Sequence, residues 1–145
     1  MTTKIKALAQ AVQTVLLDLN DGATPTHTHY FKHVWIGMPK KVPTGNQAVA
    51  TVEVASQPNY YYTTCGDKTN YDVDIIINVM VIGRVESATL KSYEIIEAVQ
   101  TAFFNNQKIS GTCIGSTIEE VVYGDYWSEA GNMVTGGKLT LRCRL

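Results

Sequence analysis

Over residues 3–20 apolar side chains recur at intervals of three and four. Ile5, Leu8, Val12, Val15, Leu16 and Leu19 fall on one stripe, which predicts an amphipathic helix. Asn20, Asp21 and Gly22 end it, and Gly22 suits a left-handed cap. A turn-rich segment with Pro25 leads to the short apolar run YFKHVWIGMP, closed by Gly37 and Pro39. The pattern then changes to a period of two. Residues 48–55 (AVATVEVA) alternate as a strand, with Val52 and Val54 on one face and Val49, Thr51 and Glu53 on the other. Residues 71–83 (YDVDIIINVMVIG) give the strongest strand. Val73, Ile75, Ile77, Val79 and Val81 line one face; Asp74, Ile76, Asn78, Met80 and Ile82 line the other. The second face starts polar and turns apolar, so part of this strand is expected to be covered on both sides.

Between these strands, SQPNYYYTTCGDKTN reads as a long connection or a flared hairpin. Residues 87–104 predict a second helix, capped by Ser87 or Thr89, with Tyr93, Ile96, Val99, Ala102 and Phe103 inward and Lys91, Glu94, Glu97 and Gln100 mostly in water. Asn105 and Asn106 end it. A strand is expected near 117–124. The closing GGKLTLRCRL sets Leu139, Leu141, Cys143 and Leu145 against Lys138, Thr140, Arg142 and Arg144, with Gly136 and Gly137 as the preceding turn. The order helix, strand, strand, helix, strand, strand predicts a single α+β domain over residues 1–145. Its two helices pack on one face of a mixed or antiparallel sheet of about four strands.

A chain of 145 residues suits one domain and one core. Charged residues make up only 17% and tyrosines number 8, a balance suited to a subunit that hides surface against other chains. The net charge of -1 gives no pull toward duplex nucleic acid. No stretch approaches the length of a membrane-spanning helix, and the N-terminus lacks a signal-peptide apolar run. Cys65, Cys113 and Cys143 are odd in number and widely spaced, which reads as reduced thiols in an intracellular protein.

Four groups of residues could carry chemistry. His27, His29 and His33 have the residue type for zinc, but all three meet at one point only if the chain bends after His29. Turn histidines at a subunit contact are the blander reading. Asp72 and Asp74 share a strand face, while Glu119 and Glu120 point opposite ways; paired acids can hydrolyse glycosides or hold a cation. Cys65 beside Gly66 could be a nucleophile, without a helix N-terminus to activate it. Arg142 and Arg144 make a small basic patch, and Lys40 and Lys41 a second. The short glycine pieces GTCIG and TGGK are not phosphate-binding loops. Aromatics cluster at His29–Trp35, at Tyr60, Tyr61 and Tyr62, and at Tyr123, Tyr126 and Trp127. One small core cannot take them all, so burial against other chains is expected.

Across nearly its whole length the chain resembles the tail-terminator, or tail-completion, proteins of long-tailed bacteriophages. The resemblance rests on IKALAQAVQTVL, FKHVWIGMPKKVP, YDVDIIINVMVIG leading into SATLKSYEIIEAVQTAF, and GGKLTLRCRL. It implies a compact α+β subunit of a homohexameric ring at the head-proximal end of the tail tube. Such a ring ends tail growth and presents a surface for head joining, with neither catalytic residues nor a cofactor nor a bound metal. The implied partners are other copies of the chain, the tail tube protein and the head connector or head-completion protein, with genomic DNA only in transit and no membrane. The implied location is the virion tail, after assembly in the host cytoplasm. On this reading Ile76, Met80 and Ile82 meet a neighbouring subunit, Tyr60, Tyr61 and Tyr62 reach the next chain or the tube, and Arg142 and Arg144 line the bore. The residues 57–70 correspond to a projecting arm or to a simple hairpin. Another head–tail joining or tail tube subunit is the alternative, and a small metal-binding enzyme using His27, His29 and His33 is a further one.

Overall fold

A computed structural model describes residues 4–22, 28–38, 45, 47–62, 69–126 and 133–145. In chain order the elements are α1 (Lys4–Asp18), β1 (His33–Ile36), β2 (Gln47–Tyr62), β3 (Thr69–Gly83), α2 (Val85–Phe104), β4 (Gly115–Tyr126) and β5 (Met133–Arg144). The strands form one mixed sheet in the order β1-β2-β3-β5-β4. β1 runs parallel to β2, and every other pairing is antiparallel. The sheet therefore has five strands rather than the expected four. The extra one, β1, is the apolar run around Trp35. At four residues it is too short to show an alternation, and pairing with Val49–Val52 makes it a strand.

Both helices pack on one face of this sheet. Leu8, Val12 and Leu16 of α1 and Ile95, Ile96, Val99 and Phe103 of α2 are buried against Val73, Ile75, Ile77, Val79 and Val81 of β3. Ala48, Ala50 and Val52 of β2 and Leu139, Leu141 and Cys143 of β5 extend the same layer. The small Ala48 and Ala50 let the α1 side close onto the sheet. α1 lies over β1 and β2, and α2 over β3, β5 and β4. Tyr93, expected on the inward stripe of α2, is instead exposed, because the stripe runs Ala88, Ile95, Ile96, Val99, Phe103. Among the described residues no helix is long and apolar enough to cross a membrane.

The helix ends differ from expectation at two points. α2 starts at Val85, with Arg84 in extended backbone as a cap that makes no side-chain bond, so Ser87 and Thr89 lie inside the first turns. The reason is topological: β3 ends at Gly83, and the chain turns into the helix within one residue. Gly22 is left-handed (φ 69°) but stands beyond the end of α1, in a turn where its N–H donates to Asn20 Oδ1 at 2.9 Å.

The segment before β3 is a hairpin. β2 continues to Tyr62 and pairs with β3 from Thr69, so Tyr60, Tyr61 and Tyr62 lie opposite Tyr71, Asn70 and Thr69. Register shifts fall between Val54 and Ser56 and between Ser56 and Asn59. Pro58, with no N–H to give a ladder, falls in the second. β5 pairs with β3 only from Asp72 onward, so the tip of the hairpin is a two-stranded arm.

Gly136 and Gly137 are not a turn. They sit inside β5, opposite Met80 and Val79 of β3 and Gly124 and Tyr123 of β4. A Cβ on Gly136 would collide with the carbonyl of Val79, and one on Gly137 would stand 2.6 Å from Ile96 Cδ1. Close approach of strand to strand and of α2 to the sheet requires glycine here. Gly136→Ala should lower unfolding free energy by about 1–3 kcal/mol, the usual cost of overpacking, as measured by urea denaturation.

The connection from α2 to β4 holds three consecutive left-handed residues, Ile109 (φ 45°), Ser110 (φ 56°) and Gly111 (φ 83°). Ile109 adopts this conformation because its side chain is fully buried in the core. Ser110 is exposed; its N–H donates to Asn106 Oδ1 at 3.0 Å and its Oγ accepts from Asn106 Nδ2 at 3.4 Å. Ser110→Gly keeps the first bond, loses the longer second one and relieves the left-handed strain, so it should raise stability by less than about 1 kcal/mol, read as a higher denaturation midpoint with unchanged slope.

Candidate functional site

The face of the sheet away from the helices divides into two ends. At one, Val49, Met80, Ile82 and Val134 form a small buried cluster with Trp35 packed against it. At the other, acids of β3 meet arginines of β5. The register places Asp72 opposite Arg144 and Asp74 opposite Arg142. Arg142 Nε donates to Asp74 Oδ1 at 2.9 Å and its Nη2 to Oδ2 at 3.2 Å, a two-pronged pairing. Arg144 Nε donates to Asp72 Oδ1 at 3.0 Å. Glu119, pushed toward this end by the irregularity between Ile118 and Glu120, lies 3.9 Å from Arg142. Ser56 Oγ donates to Asp74 Oδ2 at 3.2 Å, and Asn78 Nδ2 donates to Thr51 Oγ1 at 3.1 Å between the two ends.

This pairing was legible in part. Two aspartates two apart in one strand and two arginines two apart in another match only when the strands are antiparallel neighbours in this register. The hydrogen bonds from Arg142 hold the Asp74 carboxyl below the usual carboxylate range, against the opposing effect of burial. The aspartates are thus matched acids in a ladder rather than a pair sharing one proton.

The residues expected at a subunit contact are distributed differently. Met80 (9% exposed) and Ile82 (3% exposed) are already buried within this chain, by their cross-strand neighbours and Trp35. The cover expected on the second face of β3 is therefore supplied by the chain itself at this end. Ile76 is half-buried beside the ion-pair ladder. Tyr60, Tyr61 and Tyr62 have their backbone in the two-stranded arm.

The histidines are not assembled into a ligand set by the described residues. His27 lies outside them. His29 is exposed and makes an isolated antiparallel bridge with Asn20, while His33 opens β1 and stacks on Trp35 at 5.4 Å between ring centres. Among the described residues no group of three or more His, Cys, Asp or Glu side chains could hold a metal ion. Cys65, Lys40, Lys41 and Trp127 also fall outside them. A cleft of about 360 Å³ lies between the His29–Tyr30 segment and the start of α2, with Ala48, Val81 and Ala88 on its floor and Arg84 and Lys91 on its rim. Lys91 is engaged there: it pairs with Glu94 Oε2 at 3.2 Å and stands 4.9 Å from the centre of the Tyr30 ring. The Tyr30 hydroxyl donates to Glu94 Oε1 at 3.1 Å, and burial together with that carboxylate raises its pKa.

Two features had no clear signal in the sequence. Cys113 and Cys143, thirty residues apart, are both buried in the core on the helix side of the sheet, and Cys113 Sγ donates to the Gln107 carbonyl at 3.5 Å. The neighbouring Cys113 thiol, together with burial, pushes the Cys143 thiol up. The second feature is a group of exposed apolar side chains along α2 and β4. Leu90 (61% exposed), Tyr93 (49%) and Tyr123 (49%) face outward on the helix-bearing side, where Tyr93 meets Tyr123 edge-to-face at 5.5 Å, while Val122 (42%) is exposed on the opposite face. β4 is an edge strand of 12 residues, about 40 Å of chain at the usual rise per residue.

No protein-family model matches the chain, and no curated protein matches it.

The lowered pKa of Asp74 ties the ladder to pH. Its contribution to stability is present above the unfolded carboxylate value near 4 and is lost as pH falls through the lower folded value. Asp74→Asn should lower the thermal midpoint at pH 7, and its gap from the wild type should close as pH falls below about 4. Calorimetric scans from pH 7 to 2 check this, and a constant gap would remove Asp74 from the acid response.

Proposed function

We propose that this chain is a structural subunit of a long-tailed phage virion that assembles with its own copies into a ring capping the head-proximal end of the tail tube. The observation that carries this reading is the exposed group of Leu90, Tyr93 and Tyr123 along α2 and the edge strand β4. The irregularity and the glutamates of β4 fall at residues 118–120, while its residues 121–124 carry no charge and leave Tyr123 exposed, the kind of edge a subunit can bury against another chain. The five-stranded α+β architecture is of the class that the resemblance to tail-terminator proteins implies.

In the ring, Arg142 and Arg144 line the bore. Each is matched by an aspartate, so the wall presents little net charge. A transiting polyanion can then slide past it, because phosphate binding strengthens with each uncompensated cation. The β2–β3 arm, with Tyr60, Tyr61 and Tyr62, reaches toward the tail tube or the next subunit. The ring works by stopping growth and offering a docking surface, a role that needs complementary surfaces rather than a reacting group.

Electron microscopy of particles produced without this protein tests the assignment. Overlong or headless tails are expected. Tails of normal length joined to heads would overturn it, and complete absence of tails would assign the chain to the tube instead.

A further inference from the structure

Two opposite edges of this one sheet carry exposed apolar groups. On the α2–β4 edge, Tyr93, Glu97, Gln100 and Tyr123 line an open groove on the helix-bearing side. On the other edge, Ile36 (49% exposed) and Met38 (66% exposed) stand at the end of β1. Ile36 lies opposite Val52, a residue of the helix-side core, so the two apolar edges lie on the same side of the sheet.

Their charges are opposite. At the α2–β4 edge Glu97 stands in the groove with Tyr93 and Tyr123, and Glu119 and Glu120 lie on β4. Glu119 approaches Arg142, while Glu97 and Glu120 make no ion pair among the described residues. At the β1 edge Lys32 is exposed and likewise has no ion-pair partner among the described residues.

We infer that the groove between α2 and β4 receives the β1 edge of a second copy of this chain, with Ile36 and Met38 seated against Tyr93 and Tyr123 and Lys32 facing Glu97. This rests on the self-assembly reading above and names the surfaces it uses. Pairing of β4 with β4 across a two-fold axis would set an acidic edge on itself, which like-charge repulsion disfavours. Joining unlike edges is heterologous, and a heterologous contact repeats from copy to copy until it closes a ring. The contact is made by side chains rather than by ladder extension, because the Val34 carbonyl on β1 already accepts from Gln13 Nε2 at 2.9 Å.

A charge exchange tests it. Glu97→Lys and Lys32→Glu are each expected to raise the concentration at half-assembly by about tenfold, as charge pairs at interfaces do, and the double variant to return it close to the wild-type value. Analytical ultracentrifugation over a concentration series reads this, with circular dichroism confirming a native fold. Independently, mixing Ile36→Cys and Tyr123→Cys proteins, each in a Cys65→Ser background, should give a disulfide-linked pair that neither forms alone. If the wild type assembles while both single variants assemble equally well, or Tyr123→Cys cross-links to itself, these surfaces are wrong and self-assembly stands. A wild type that stays monomeric at every concentration overturns both.

Discussion

The alternation of β3 is the constraint on which the remaining structure depends. Its odd-numbered residues from Val73 to Val81 are all buried beneath the two helices, at the centre of a five-stranded sheet. A slip of one residue in either neighbour would turn that neighbour's apolar set outward. The same strict period therefore determines what the even-numbered residues meet. Asp72 and Asp74 arrive opposite Arg144 and Arg142, and Met80 and Ile82 arrive beside Val49, Gly136 and Val134.

The two glycines of β5 show how tightly this arrangement is drawn. Side chains there would strike the backbone of β3 or β4 and the end of Ile96, so the sheet and α2 approach each other as closely as backbone allows. Close approach also brings Cys113 onto Cys143 and keeps Ile109 in a left-handed conformation that an exposed isoleucine would leave. These features belong to one packed unit under α2, and each is held by burial rather than by local preference.

Outside that unit, the molecule separates neutral from sticky surface. The ladder of Asp72, Asp74, Arg142 and Arg144 satisfies charge with charge on the open face. The edges are less fully matched: Glu97 stands with Tyr93 and Tyr123 on one and Lys32 with Ile36 and Met38 on the other, and neither has an ion-pair partner among the described residues. A subunit that joins its copies side by side while leaving a quiet inner wall needs this division, and the functional proposal follows from it.

The sequence by itself determined the elements with a sustained period. α1, α2, β3 and the Leu139–Leu145 half of β5 were readable because three or more repeats of one period outweigh local exceptions, and the placement of both helices on one face followed. β1 was not readable, since four residues cannot display a period, and neither was the strand character of Gly136 and Gly137, whose local preference is for a turn. The candidate site was less legible still. Asp72, Asp74, Arg142 and Arg144 were visible as like-charged pairs, yet only the β3–β5 register set acid against base. Tyr93 looked inward by spacing, but α2 is rotated by the demands of Ile95, Ile96 and Val99, so Tyr93 faces out to meet Tyr123. Periodicity records which residues prefer burial along one element; which surfaces remain outside is decided only when separate elements compete for the same core.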